Sequence, residues 1–322
     1  MKTVILDGSA ANPGDLSWEP FEKFGEVAAY DTTSPSQLLQ RLSDADIAIT
    51  NKTVFDASAL SALPSLKYIG VLATGYNVVD LKAARAHGIT VTNVPEYATA
   101  ATAQMTIALL LELADKVAIH DAAVHAGEWC RSPQFCFFKS PLTELEGKTL
   151  HIVGFGKIGS RVASIAAALG MKVTATPHRL TSEKLTSDNG SVVTALPLLQ
   201  GLENADAVSL HCPLTEETSG LINSDTLKSF KPGSFLINCA RGPVVNEASV
   251  ASALESGMLG GYAADVVSAE PMLESNPLLK APNCVLTPHI AWAPVETRAR
   301  LIDMAASNVE AWIAGDPINV VN

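Results

Sequence analysis

The chain has 322 residues, 48% of them hydrophobic, which is enough for sizeable cores and, by length, for two domains. Its 22 basic against 33 acidic residues leave a net charge of −11, which argues against a nucleic-acid partner, since that would require a basic face. No apolar run approaches the ~20 residues of a bilayer span. The opening Met1-Lys2-Thr3-Val4-Ile5-Leu6-Asp7 is too short and too soon charged for a signal peptide. The five scattered cysteines (Cys130, Cys136, Cys212, Cys239, Cys284) form no C-x-x-C pair, so no metal or redox site is indicated and a reducing cytoplasm is expected.

In chain order, short apolar runs at 4–6, 47–50, 68–72 and 89–94 alternate with helix-like patterns at 36–43, 57–63 and 79–87. Near-continuous apolar strands between helices predict a parallel sheet covered on both faces, here a first α/β unit over 1–98. One long Ala- and Leu-rich helix is expected over 98–126. An irregular stretch with Trp129, Phe135, Phe137 and Phe138 follows it. An aromatic loop of this kind folds onto its own core or docks on a partner chain. The long helix and the loop together predict a homodimer, with one patch meeting itself across a two-fold axis.

The apolar run 150–153 then leads into Gly154-Phe155-Gly156-Lys157-Ile158-Gly159. An Ala-rich helical pattern ends at Gly170, and a second apolar run starts at Lys172. Strand, glycine turn, helix and strand form the context of a dinucleotide-binding unit. Gly154 permits the tight turn, Gly156 lets backbone approach a pyrophosphate, and Gly159 lets helix pack on strand. The anion would lie over the helix N-terminus at Lys157 and Ile158. Apolar runs at 150–153, 172–176, 207–211, 234–239, 261–267 and 284–287 predict six strands of a doubly wound sheet, with Cys239 and Cys284 as small core residues. A last helix, 294–314, and an extended tail, 317–322, are expected to pack back on the first unit. The fold class is therefore α/β with two doubly wound domains. One is a smaller flavodoxin-like substrate domain (1–98 plus 294–322), and the other is a Rossmann dinucleotide-binding domain (99–293).

Ligands of open α/β sheets bind beyond the carboxyl ends of the strands. Arg241, Glu270 and His289 each follow a different predicted strand, so a cation, a carboxylate and an imidazole share the rim that would hold the cofactor. The trio suits hydride transfer to a 2-oxo acid. A guanidinium grips a carboxylate with two bonds, a histidine can protonate the developing alkoxide, and a carboxylate beside the imidazole fixes the ring. Asp265, at the end of the fifth strand, is placed to reach a nicotinamide amide.

Four segments carry a resemblance: Gly154 to Gly159, Asn238-Cys239-Ala240-Arg241-Gly242, Asp265-Val266-Val267-Ser268-Ala269-Glu270-Pro271, and Thr287-Pro288-His289-Ile290-Ala291-Trp292. In order and spacing they resemble the signature set of the D-2-hydroxyacid dehydrogenase family. Flanking segments, Pro141 to Thr149 and Ile318 to Asn322 among them, look most like its glycerate dehydrogenase (hydroxypyruvate reductase) branch. The resemblance covers nearly the whole chain. It implies that Arg241 binds substrate, His289 is the acid/base and Glu270 is its partner. It also implies that backbone N–H groups of Thr74 and Gly75 hold the substrate carboxylate, while His211, Pro213, Thr218 and Ala240 line the cofactor. The expected substrate is a small 2-oxo or 2-hydroxy acid, with hydroxypyruvate or glyoxylate foremost. Another 2-hydroxy acid, such as phosphoglycerate or a bulky acid, is the alternative, although no regulatory extension of the kind many phosphoglycerate dehydrogenases carry is read before Asn322. A co-repressor-like nucleotide sensor is a further alternative, although no disordered tail of the kind such proteins carry is read here.

One departure stands out. NAD-specific members carry an acidic residue at the end of the second strand, about 20 residues past the glycines. Here that strand ends Ala175-Thr176-Pro177-His178-Arg179, with no carboxylate and two potential cations. The cofactor is thus expected to be NADP or NAD, with His178 and Arg179 placed to favour NADP.

Overall fold

In the first unit, successive residues of each strand bury on opposite faces, so one sheet separates two apolar cores. The computed structural model describes all 322 residues and divides into two units, Met1–Ala98 with Trp292–Asn322, and Thr99–Ala291. Strands β1 (Lys2–Ile5), β2 (Glu26–Ala29), β3 (Ile47–Thr50), β4 (Tyr68–Val71) and β5 (Thr90–Thr92) form a parallel sheet in the order β2-β1-β3-β4-β5, the flavodoxin-like order. Val4, Ala48 and Ile69 face one core, with Leu38 and Leu60 from the helices α2 (Pro35–Arg41) and α3 (Ala57–Ser61). Ile5, Ile47, Ile49 and Tyr68 face the other, where Phe21 of the short helix α1 (Glu19–Glu22) packs. Helix α4 (Leu81–Ala86) is capped by Asp80, whose side chain accepts the N–H of Ala83, and leads into β5.

Two features of this unit differ from expectation. The chain re-enters it at Trp292 rather than 294, because Trp292 joins the Ile5–Tyr68 core. Strand β2 had no apolar run to announce it. It is a sheet edge of residues Glu-Val-Ala-Ala with no fully buried position.

The second unit opens with α5 (Thr99–Asp115), α6 (Val117–His125) and α7 (Glu128–Arg131). The single helix expected over 98–126 is therefore broken. Lys116 takes a left-handed conformation, φ +54°, and the Glu112 carboxylate accepts the N–H of Ala118 at the start of α6. Neither Gly nor Pro marks the break, which is why helical periodicity ran through it. Eight strands follow, not six: β6 (Thr149–Val153), β7 (Lys172–Thr176), β8 (Lys184–Thr186), β9 (Val192–Ala195), β10 (Ala207–Leu210), β11 (Ser234–Asn238), β12 (Leu259–Ala264) and β13 (Cys284–Leu286). Their order is β13-β12-β11-β10-β6-β7-β9-β8, with only β8 antiparallel. The unexpected β9 is the strand that completes the doubly wound half beyond β7. Its four residues alternate exposed and buried within a polar stretch, leaving too short a pattern to read. Helices α8 (Lys157–Ala168), α9 (Leu198–Asn204) and α10 (Glu247–Glu255) cover the sheet. Ile152 and Ile237 point to one core, and Leu236 and Tyr262 to the other.

The chain then returns to the first unit with α11 (Val295–Ile313), which sets Leu301, Ile302, Ala305 and Val309 on the Ile5–Tyr68 core. Arg298, buried in its first turns, pairs through both terminal nitrogens with Asp15 at 2.8 and 2.6 Å. The tail runs along β5. Val321 donates its N–H to the carbonyl of Val91 at 2.9 Å, and the Asn322 side chain bonds both Val91 and Ile89, which pairs the open edge of that sheet.

His151 shows how tightly the second sheet is packed. It is fully buried on β6, with Nδ1 2.9 Å from Thr174 Oγ1 and Nε2 3.0 Å from Thr176 Oγ1. Thr176 donates its hydroxyl proton to the carbonyl of Leu196, so it must accept from Nε2–H, and Nδ1 in turn accepts from Thr174. The ring is therefore the neutral Nε2–H tautomer. A Cβ at Gly201 of α9 would lie 2.1 Å from it, so no side chain fits there. Burial pushes its pKa from 6.5 down to about 4. A histidine with a depressed folded pKa stabilises the fold only while it stays neutral. Its contribution is complete above the unfolded value of 6.5 and is lost as pH falls toward 4. Between pH 7.5 and 5 this amounts to about 2 kcal/mol. Chemical denaturation of His151→Gln at the two pH values is expected to show an acid-induced loss smaller than wild type by about that amount. Equal losses would mean that His151 is not buried neutral.

Candidate active site

The order of the sheet reverses between β6 and β10, and this switch point is where an open α/β sheet holds its ligand. The glycine turn leaves β6 here. Gly154 adopts φ +93°, and a Cβ on it would lie 2.6 Å from the Cys212 nitrogen and 2.7 Å from the His211 carbonyl carbon beyond β10. Only glycine lets the two strand ends meet. At Gly159 a Cβ would lie 2.4 Å from the Gly154 oxygen, so the start of α8 sits directly on the turn. At Gly156, by contrast, a Cβ would meet nothing within 4 Å, which leaves a cradle open above the helix N-terminus. Gly156 is the N-cap of α8 and no side chain caps the helix, which leaves its positive end, the part of a helix that favours an anion, facing the cradle. The open cradle and uncapped helix fit a dinucleotide pyrophosphate.

Further along the same rim, the Arg241 turn follows β11. The fully buried Asn238 holds it, accepting the N–H of Ala240 and donating to the carbonyl of Arg241, both at 3.0 Å. The Tyr262 hydroxyl also bonds Asn238, and burial pushes its pKa well above the ordinary tyrosine value. The exposed Arg241 donates to the Ala240 carbonyl at 2.7 Å. Ala240 thus has both backbone groups engaged within the turn. Beyond β12, Glu270 presents Oε2 to His289 Nδ1 at 2.7 Å, while Oε1 accepts the N–H of Val267 at 3.3 Å. Both side chains of the pair are about one-third exposed, His289 at 34% and Glu270 at 36%. That exposure leaves the far edge of the imidazole accessible to a reactant. The sheet therefore brings Arg241, Glu270 and His289 to the ends of three adjacent strands, β11, β12 and β13.

Asp265, directly after β12, is held from within the chain. It is 1% exposed, and its oxygens accept the N–H of Ile290 and of Ala291, each at 2.8 Å, together with the Thr287 hydroxyl. Its backbone oxygen accepts the His289 N–H at 2.8 Å. The side chain anchors the turn in which His289 adopts the left-handed φ of +56°. The sequence signal was a carboxylate followed by a Thr-Pro-His turn about two dozen residues on, but nothing in it tied the two together.

The remaining expected contacts divide. His211 sits beside the glycine turn with Nε2 3.2 Å from Ser209 Oγ, while Nδ1 is buried without a partner. Burial lowers its pKa to about 4, so the ring is neutral. Thr218 donates to the Pro213 carbonyl at 2.6 Å and accepts from the Thr215 N–H at 2.7 Å, which shapes the 213–218 loop. His178 and Arg179, just beyond β7, are exposed, and their side chains hold no hydrogen bond or ion pair. In the first unit, the carbonyls of Leu72 and Thr74 are held by Asn51 and Asn93 at 2.6 and 2.7 Å, and Thr74 Oγ1 donates to Val94. The backbone N–H groups of Thr74 and Gly75 have no acceptor within the chain. Two adjacent free donors suit a carboxylate.

Residues 107–291 match the family model for "D-isomer specific 2-hydroxyacid dehydrogenase, NAD binding domain". The chain is 45% identical to a hydroxypyruvate reductase of Blautia hydrogenotrophica, with both chains covered in full. It is 39% identical to a glycerate dehydrogenase of Methylorubrum extorquens, covering 99% of this chain and 98% of the relative. Among solved structures, the TT0316 protein of Thermus thermophilus superposes with a TM-score of 0.85 at 34% identity, over 100% of both chains.

The open cradle at Gly156 gives a direct test. A Cβ there meets nothing within 4 Å in the folded chain, so Gly156→Val is expected to melt like wild type. Its affinity for a reduced nicotinamide cofactor, read by fluorescence titration, should fall roughly tenfold or more, the loss of one charge-assisted contact. Unchanged affinity would remove the glycine turn from the cofactor site.

Proposed function

The chain belongs to the D-isomer specific 2-hydroxyacid dehydrogenase family and is an oxidoreductase using a nicotinamide dinucleotide, and from that premise we propose that it reduces hydroxypyruvate, and glyoxylate with it, to D-glycerate and glycolate. The observation that carries the reading is the His289–Glu270 pair at 2.7 Å, one strand end away from Arg241. The relatives named for hydroxypyruvate and glycerate, similar over their full lengths, support the choice of acid.

In this reading the bound cofactor supplies the hydride, and the chain does the rest. The free N–H groups of Thr74 and Gly75 bind the substrate carboxylate, and the Arg241 guanidinium, with its planar fork of donors, grips the 2-oxo acid. His289 donates Nδ1–H to Glu270, so its Nε2 carries the proton that moves to the carbonyl oxygen as the alkoxide develops. Glu270 holds the ring so that this edge faces the substrate. The 2-hydroxy acid is oxidised by the reverse transfer, with neutral His289 taking the proton. Gly154, Gly156 and Gly159, with the first turn of α8 at Lys157 and Ile158, hold the pyrophosphate. His211, Pro213, Thr218, Ala240 and, behind them, Asp265 shape the wall along the rim.

No carboxylate stands at the end of β7 to bond the ribose hydroxyls or repel a 2′-phosphate, and Arg179 and His178 are exposed there. NADP is therefore the proposed preference over NAD. The protein is further proposed to be a cytoplasmic homodimer. Five free cysteines with no disulfide support the compartment. Exposed Phe135 and Phe138, at 88% and 72%, with Trp129, whose indole N–H bonds the Phe135 carbonyl, give apolar surface that a self-complementary partner would cover. Light scattering at micromolar concentration should give twice the chain mass, and a monomer would refute the dimer.

A panel of 2-oxo acids assayed with both reduced cofactors tests the reading. Hydroxypyruvate and glyoxylate should turn over, and His289→Ala should lower kcat by roughly 10²–10⁴-fold. Turnover of no short 2-oxo acid with either cofactor would overturn the enzymatic reading and leave nucleotide sensing. With NADPH, Arg179→Ala should lower kcat/KM about tenfold, the loss of one charge-assisted bond, with little change for NADH. A strong NADH preference untouched by that substitution would refute the assignment to NADP.

A further inference from the structure

Glu270 lies on an exposed, irregular connection between β12 and β13, in which Ser268, Ala269, Glu270 and Pro271 are all open to solvent. Apolar packing therefore does not fix the carboxylate that orients His289. Its placement comes from polar contacts made by a residue outside the trio. Glu247, the first residue of α10, is not used to cap its own helix, because Asn246 does that by accepting the N–H of Ser249 at 3.0 Å. Instead the Glu247 carboxylate crosses to the connection. Oε1 accepts the N–H of Ser268 at 2.7 Å, and Oε2 accepts from Asn276 Nδ2 at 2.8 Å. These two bonds pin the connection on either side of Glu270.

The same strip of backbone carries Arg241. A Cβ on Gly242 would lie 2.0 Å from the Val267 carbonyl carbon and oxygen and 2.4 Å from the Ser268 nitrogen. The Arg241 turn therefore rests directly on Val267 and Ser268. Val267 also donates its N–H to Glu270. A shift of Ser268 would move the Glu270 carboxylate against His289 and loosen the seat of Arg241 together.

We propose that Glu247 is a positioning residue. Its carboxylate holds residues 267–276 so that Glu270 stays on His289 Nδ1 and Arg241 keeps its register. The inference rests on the acid/base reading of the His289–Glu270 pair. Glu247→Gln is isosteric but can serve only one of the two partners. Its amide nitrogen would face the Asn276 amide nitrogen, and Asn276 cannot turn over without giving up the Leu278 N–H that its Oδ1 accepts. Glu247→Ala loses both contacts.

The experiment compares Glu247→Gln, Glu247→Ala and Glu270→Gln by the pH profile of kcat/KM for 2-oxo acid reduction, with kcat, the cofactor KM and the melting temperature of each. A misplacement of this order is expected to cost roughly 10- to 100-fold in kcat. The alkaline limb of the profile should move to lower pH in the same direction as in Glu270→Gln, the cofactor KM should stay at its wild-type value, and Gln should fall between wild type and Ala. Where Glu247→Ala does not fold, Glu247→Gln carries the test. If Glu270→Gln moves the limb and the Glu247 variants change only melting temperature or kcat, the positioning role is overturned while the pair survives. If Glu270→Gln does not move the limb either, the reading of the pair fails, and this inference with it.

Discussion

A carboxylate with 1% exposure obliges its surroundings to supply hydrogen-bond donors, since an unmet buried charge would cost several kcal/mol. Asp265 imposes this demand at the end of β12, and the segment 287–291 answers it with the Thr287 hydroxyl and the N–H groups of Ile290 and Ala291. A chain that must deliver those donors to one point has little freedom left between them. His289 lies in that interval and takes a left-handed backbone that a side-chain-bearing residue seldom adopts. The orientation of the imidazole toward Glu270 thus follows from a buried group that need not touch a reactant. Asn238 acts likewise under Arg241, where one side-chain amide with 0% exposure fixes both ends of a turn. In both cases a buried polar side chain at a strand end sets the path of the exposed residue that follows.

The parts of this arrangement that were legible in the sequence have causes that operate over a few residues. The glycine turn could be read because each glycine answers a separate local demand, and the structure shows all three: contact with residues 211–212, open space, and contact of helix with turn. Strands buried on both faces could be read because their apolar runs are nearly continuous, as in β3 and β11. Strands β2 and β9 could not. They carry alternating or polar residues, and the sheet around them supplies what their own pattern lacks. The break at Lys116 depends on a side chain four residues back and has no marker at the break itself. The structural role of Asp265 was hidden because its partners lie more than 20 residues ahead, across a strand and a connection.

The end of β7 shows how one substitution of character spreads through a neighbourhood. Thr176 has its hydroxyl held between the Leu196 carbonyl and the neutral His151, and its carbonyl accepts the N–H of Gly154. The strand end is thereby tied to the glycine turn through an uncharged network. The exposed side chains nearby, on residues 178 and 179, stand outside that network and are free to respond to whatever approaches.

The discontinuity of the first unit has a consequence for how the molecule is made. Leu301, Ile302, Ala305 and Val309 of α11 complete the core on one face of its sheet, yet all five strands of that sheet precede residue 93. During synthesis the ribosome must add the whole of Thr99–Ala291 before that helix can emerge, a delay of roughly 10–40 s at common elongation rates. Through that interval Ile5, Ile47, Ile49 and Tyr68 wait on a sheet whose covering helix has not been translated, and at its end the second unit already has all its strands in hand. The nascent chain therefore passes through a stage in which one unit can be finished and the other exposes an apolar sheet face, the surface that a chaperone bound near the exit tunnel would meet first.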